Sequence, residues 1–242
     1  MPLLPWIADE SLKSAVKNLL LTAKSAKVSA KKEFGKNVID PFSSVFEIAG
    51  FETDFESWIK SETARQAQKT LQNHIGEFHQ IILGSVKGWE NKKTGNVIDL
   101  ICKKQKILAE VKNKFNTTSG GKLADLYFSL ERAVMPKMSV YKGYTAYYVI
   151  IIPKKKNRYN KEFTPSSKES GQRCTANEKI REIDGASFYT LVTGRENALE
   201  ELFDILPQTI SLCSNGAYKI KSPEKLKKFF SLAYEKSLLG SS

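Results

Sequence analysis

The chain has 242 residues, 41% of them hydrophobic, and a net charge of +12; that apolar content supports a real core and argues against wholesale disorder. No stretch reaches the ~18 apolar residues of a membrane-spanning helix, and the longest, AYYVIII at 146–152, has the length of a strand. The opening MPLLPWIADE lacks the basic and long apolar regions of an export signal, and Cys102, Cys174 and Cys213 show no metal-ligand spacing, so free thiols of an intracellular protein are expected.

In chain order, residues 8–33 read as a helix. Leu12, Val16, Leu19, Leu20 and Ala23 recur at helical spacing, with Asp9 or Ser11 as the cap. The Gly and Pro of GKNVIDPFSSVFEIAGF break this helix, and a short one restarts after Asp40-Pro41. Residues 54–84 follow as one long helix or two, with Trp58, Ile59, Leu71, Ile75, Phe78 and Ile82 in the apolar stripe. Period 2 then takes over. NVIDLIC at 96–102 and KILAEVKNKF at 106–115 read as two strands joined by the polar KKQK. Residues 122–135 return to helical spacing, and YTAYYVIIIP at 144–153 reads as a central strand buried on both faces. A long polar and basic loop occupies 154–178, which at that length suggests function. ASFYTLVTG at 186–194 reads as another strand, ENALEELFDILPQTI as a helix, and 222–238 as a final basic helix. The expected architecture is α/β: a helical N-terminal region over 1–85 packed on a core over 86–242, with a mixed central sheet flanked by helices.

The positive charge is concentrated. Residues 1–86 carry ten basic and ten acidic side chains, whereas 87–122 and 154–181 each carry nine basic and three acidic. A surface kept soluble by charge would spread it; two basic segments fit a phosphate-binding footprint and point to nucleic acid.

One strand needs explanation. In ILAEVKNKF, Glu110 and Lys112 end an apolar run, where charges rarely sit without partners. If Cys102 pairs with Ile107 across KKQK, Asp99 falls directly opposite Glu110, with Cβ atoms ~5 Å apart, and Lys112 shares that face. Two bare carboxylates at that distance repel; a hard divalent cation such as Mg²⁺ relieves the conflict. From spacing alone the cluster fits either an active site or a cross-strand ion pair. A second Glu-x-Lys, Glu90-Asn91-Lys92, sits in a polar turn and is read as chance.

Asp99 followed by Glu110-Val111-Lys112 on the next strand resembles the PD-(D/E)XK nuclease superfamily, with Ile98 where the name has Pro. IGEFHQIILGSVKGW, DLICKKQKILAEVKNKFNTTSGGK and EIDGASFYTLVTG are similar to type II restriction endonucleases that cut GGNCC- or GGWCC-type sites, a resemblance spanning about residues 33–206. It implies a restriction-endonuclease-like core, Asp99 and Glu110 as Mg²⁺ ligands, Lys112 as the catalytic lysine, and Glu77 as an acid supplied from the preceding helix. It implies a bacterial cytoplasmic enzyme that hydrolyses double-stranded DNA to 5′-phosphates alongside a cognate methyltransferase. Two strands cut at a symmetric site call for a homodimer. His74 and His79, five apart, miss the metal spacing and are expected to be structural.

Asn113 and Asn116, just past the catalytic strand, either bind phosphate or end the strand. Lys154, Lys155 and Lys156 are expected to clamp phosphates. In the basic loop Arg173, Lys179 and Arg181 suit guanine, and Gln172 and Asn177 carry the amide pattern suited to adenine. The alternatives left open are a structure-specific repair or junction-resolving nuclease on the same core, or a non-catalytic DNA-binding protein.

Overall fold

The computed structural model describes residues 1–36, 38–92, 98–118, 120–167 and 171–234. Helix α1 (Asp9–Lys32) places Asp9 and Glu10 in its first turn, against the positive end of the helix dipole. Neither expected side chain caps it: the N-cap is Ala8, and the Asp9 carboxylate instead accepts from the Leu3 N–H. Helix α2 (Pro41–Gly50) starts under an Asp40 cap that accepts from the Phe42 and Ser43 amides. Helix α3 (Phe55–Gly84) is a single 30-residue helix capped by Asp54.

Six strands form one mixed sheet in the order β1-β2-β3-β4-β6-β5. They are β1 (Glu90–Asn91), β2 (Leu100–Cys102), β3 (Ile107–Lys114), β4 (Thr145–Ile152), β5 (Asn160–Glu162) and β6 (Ile180–Asp184). The central strands β3, β4 and β6 are parallel; β1, β2 and β5 run antiparallel to their neighbours. Helix α4 (Gly120–Val134) connects β3 to β4, and α5 (Gly185–Thr193), α6 (Ala198–Cys213) and α7 (Pro223–Ala233) follow the last strand. On one face Leu100, Ala109, Val111, Val149 and Ile183 pack against α1, α3, α5 and α6. On the other, Ile101, Leu108, Tyr148 and Ile180 pack under Tyr127 and Leu130 of α4. The N-terminal segment is pinned to this body by the Trp6 indole, which donates to Glu201 of α6.

The structure corrects three sequence expectations. Residues 186–194 form α5, not a strand: Asp184 caps its start by accepting from Ser187, and Gly194, at φ 71°, ends it. The aromatic and β-branched residues of ASFYTLVTG suggest a strand, yet Ala186, Tyr189 and Val192 are buried at helical spacing. The strand lies just upstream, in IREID. Gly185 joins the two because a Cβ there would lie 2.4 Å from the Ile151 carbonyl oxygen. Second, residues 154–178 are not one loop. They contain β5 and a bridge between Ser166 and Arg173, with Phe163 and Cys174 buried under α4. Third, Glu90-Asn91 is an edge strand, tied at its Glu90 to Lys103. The first part of the strand expected at 96–102 lies outside the described residues, and pairing is seen from Leu100.

His79 sits at the interface of α3 and α5, 2.8 Å from the Tyr189 hydroxyl. Burial holds its imidazole at a pKa of about 4. Between pH 6.5 and 4 the unfolded chain therefore takes up a proton that the folded chain refuses, so this contribution is intact above that window and lost as pH falls through it, by up to about 3 kcal/mol. Urea titrations of the wild type and His79→Gln should show the wild type losing stability relative to the variant from pH 7 to 4. A pH-independent difference would contradict a neutral buried imidazole.

Candidate active site

Asp99 lies immediately before β2. Its amide donates to the Ala109 carbonyl at 2.9 Å and its carbonyl accepts from Lys92 at 2.8 Å, which locks its backbone between β1 and β3. The register pairs Leu100 with Ala109, Ile101 with Leu108 and Cys102 with Ile107. Continued by one residue, it sets Asp99 opposite Glu110, as the hairpin argument expects. The Asp99 carboxylate accepts from the Val111 amide at 2.7 Å. Glu110 is 7% exposed. One of its oxygens lies 2.5 Å from the Lys112 ammonium, and the other is buried without a hydrogen-bond partner. Lys112, with 32% of its side chain exposed, stands where the covered part of the sheet opens to solvent.

Burial raises the Asp99 pKa, with the Val111 amide and Lys112 pulling the other way. Glu110 is pushed up to about 7, first by burial and then by the charge of Asp99. Burial draws the Lys112 ammonium down, but the pull of Glu110 and Asp99 outweighs it and its pKa is raised. The two carboxylates thus favour the ammonium form of Lys112, a hydrogen-bond donor.

The structure adds neighbours that sequence reasoning missed. Glu110 pairs in register with Tyr148, Tyr148 with Glu182, and Glu182 with Lys161, so a polar row crosses four strands on this face. The Tyr148 hydroxyl is buried, with the Thr118 side chain as its hydrogen-bonding neighbour. Nothing in AYYVIII marks Tyr148, because its place beside Glu110 depends on the parallel register. Gln80 of α3 reaches the Val111 carbonyl at 3.5 Å and touches Asp99.

The other sequence candidates are distributed unevenly. Glu77 lies one turn before Gln80, exposed and paired with His74 at 3.1 Å, without a described contact to Asp99 or Glu110. Asn113 alternates to the opposite sheet face, where its buried side-chain oxygen lines an apolar groove between α1, α3, α6 and α7. Asn116 is exposed in the turn after β3, and Lys154, Lys155 and Lys156 are exposed in the turn after β4. Because β3 and β4 are parallel, both turns open at the end toward which Lys112 points. Gln172 and Arg173 are exposed at the Ser166–Arg173 bridge. Asn177 and Lys179 lie at the opposite end, where Asn177 shapes the entry into β6 by accepting from the Lys179 amide. Arg181 faces away from Glu110, and its guanidinium is held by Asn160. These last three positions turn the chain into β6 rather than join the cluster at the other end.

Comparison with known proteins identifies the family in which this cluster sits. The family model for the Eco47II restriction endonuclease matches residues 4–213. The chain belongs to the Eco47II restriction endonuclease family. It is 50% identical to the type II restriction enzyme Eco47II of Escherichia coli over 239 residues, covering 97% of this chain and all of that protein. It is 29% identical to the type II restriction enzyme Sau96I of Staphylococcus aureus over 208 residues, 84% of this chain and 78% of that one. The chain is thus a site-specific endonuclease acting on DNA, and its mixed α/β sheet agrees with a restriction-endonuclease-like fold. No helix among the described residues is long and apolar enough to cross a membrane.

A carboxylate with a raised pKa makes the folded state bind the extra proton between about pH 4.5 and 7, so stability falls as pH rises through that window. In buffer free of divalent ions, Glu110→Gln should gain stability relative to the wild type from pH 4.5 to 7, the reverse of the His79 trend. A thermal-denaturation series in which the variant is equally disadvantaged at every pH would show that Glu110 is not held in conflict with Asp99.

Proposed function

We propose that this chain is a Mg²⁺-dependent type II restriction endonuclease of the PD-(D/E)XK kind, acting as a homodimer on a short GC-rich, GGNCC-like site. The observation that carries the reading is the Glu110 oxygen that is buried without a partner beside Asp99, with Lys112 on the same face. Buried polar atoms are seldom left unpaired, and an exception between two carboxylates suits a water, an ion or a catalytic role. The donor set is two carboxylates, which suits a hard cation that keeps waters and phosphate oxygens in its remaining positions. Among the described residues no three or more His, Cys, Asp or Glu side chains are grouped so as to hold a metal ion by themselves, and Mg²⁺ needs no such group when substrate and water supply the rest. Asp99 and Glu110 would hold the ion.

Bound there, such an ion would stabilise negative charge on the phosphate as a Lewis acid and make water a stronger nucleophile at neutral pH. The Val111 amide fixes the orientation of Asp99. Gln80 braces the same strand from α3. Lys112, kept as an ammonium, donates to the attacking water and to a non-bridging phosphate oxygen, orienting the one and offsetting charge on the other. Water would add in line to phosphorus as the P–O3′ bond breaks; its proton passes to solvent and the departing 3′ oxygen takes one up from solvent, leaving a 5′-phosphate and a 3′-hydroxyl. Lys154, Lys155 and Lys156 hold the backbone at the open end of the sheet, with Asn116 beside them, and Gln172 and Arg173 offer base-reading side chains. The Glu77 carboxylate stands one turn from Gln80 and would join only on rotating away from His74. A cognate methyltransferase would protect host sites, and the bacterial relatives support a bacterial cytoplasmic setting.

Digestion of DNA of known sequence with Mg²⁺ should give discrete fragments whose sequenced ends define one site. Junction-only cleavage, or persistent binding with no cleavage under any divalent ion, would sink the proposal. Glu110→Ala and Lys112→Ala should each reduce cleavage by at least about 10³-fold while leaving site-specific binding in Ca²⁺; near-wild-type cutting by either rules out its assigned role. Replacing Lys154, Lys155 and Lys156 together by Ala removes three contacts from each subunit of the dimer, so it should weaken binding across all sequences and reduce the salt slope, d log K/d log[salt], by about 5. An unchanged slope would place these lysines off the phosphate track.

A further inference from the structure

Helices α1 and α3 extend beyond the sheet. Leu12 and Val16 of α1 and Phe78 and Ile82 of α3 belong to the main core. Ala26, Ala30 and Trp58 are buried outside it. From Trp58 to Phe78, twenty residues on, α3 spans about 30 Å of helix. Helix α2 and its link to α3 sit at the far end of this helical pair, and no residue of α2 is buried.

Helix α2 has its polar side inward. Glu47 accepts from the Trp58 indole at 2.8 Å and from the Ser43 hydroxyl at 2.8 Å, fixing the rotation of the helix on α3. Phe42, Val45 and Phe46 consequently point outward at 64–77% exposure, joined by Phe51 and Phe55 at 74% and 65%. With 150–250 Å² per aromatic side chain, these five residues present roughly 600–700 Å² of apolar surface. That is at or above the largest patch of a typical monomer, about 300–600 Å², and close to the ~800 Å² that each partner gives to a stable interface.

We propose that this inside-out helix is the surface on which two copies of the chain associate. Charge selects that occupant. Residues 40–56 carry five carboxylates and no cation, so the patch repels a DNA backbone. The end of α1 and its continuation, 24–36, carry five lysines against one glutamate. In a two-fold dimer each surface meets itself reversed, so the acidic rim of one copy can face the lysines of the other around a shared phenylalanine centre. The N-terminal third is neutral as a whole and adds no long-range repulsion, unlike the two basic segments left for DNA. The inference deepens the endonuclease reading by supplying the second active site that a double-strand cut requires, and rests on it for that purpose.

Light scattering of the full chain at micromolar concentration tests it. Wild type should run at twice the 27.2 kDa of one chain, and Phe42→Glu/Phe46→Glu at the monomer mass with an unchanged circular dichroism spectrum. A monomeric wild type, or a folded variant that still dimerises, overturns the proposal. Should that variant unfold, the charges decide. Lys31→Glu/Lys32→Glu should weaken dimerisation roughly tenfold or more, and adding Glu52→Lys/Glu56→Lys should restore it; no change in either set overturns the proposal. Plasmid digestion by the wild type is read separately: without discrete fragments the endonuclease reading fails while the association result stands.

Discussion

Asp99 and Glu110 face one another across an antiparallel pair, on the side of the sheet that α4 covers. Two carboxylates brought together out of water oppose folding. The protein tolerates the arrangement by fixing each group separately. Asp99 receives the Val111 amide, and Glu110 receives the Lys112 ammonium. Neither partner satisfies the second oxygen of Glu110. The conflict depends on the tight β2–β3 turn, which sets the register, and on the closeness of β4, which brings the buried Tyr148 hydroxyl alongside.

The two faces of the sheet divide the work. One is largely apolar and anchors α1, α3, α5 and α6, giving the stiffness that a fixed pair of carboxylates requires. The other begins apolar under α4 and becomes polar along the row from Glu110 to Lys161. Parallel pairing of β3 and β4 then directs the basic turn after β4 to the same end as Lys112. Stability is surrendered at one place on a framework that is otherwise densely packed, the pattern expected where local rules are broken for function.

The site was legible to the extent that it is local. Cys102 and Ile107 are separated by a short polar turn, so hairpin pairing follows from the sequence, and with it Asp99 opposite Glu110. Readers assigned on residue type alone were less secure. Arg181 has the right chemistry for guanine, but strand alternation turns it to the other face and Asn160 occupies its guanidinium. Alternation likewise sets Asn113 on the face opposite Glu110. ASFYTLVTG misled because its composition favours a strand, while an aspartate cap before it and a left-handed glycine after it settle a helix. Phe42 and Phe46 lie on a helix that sequence places well, yet only the Glu47–Trp58 hydrogen bond reveals that their side faces out.

The sequence by itself determined the helical N-terminal third, the hairpin, the charge layout and the Asp99, Glu110 and Lys112 constellation, because each depends on residues near in the chain or on composition. Only the tertiary structure decided the order β1-β2-β3-β4-β6-β5, the juxtaposition of Tyr148, Glu182 and Gln80 with the acids, and which basic residues share their end of the sheet. Parallel strands are joined through intervening helices, so their relative register carries no local signature. It is set by how the helices pack, and with it what stands beside Glu110.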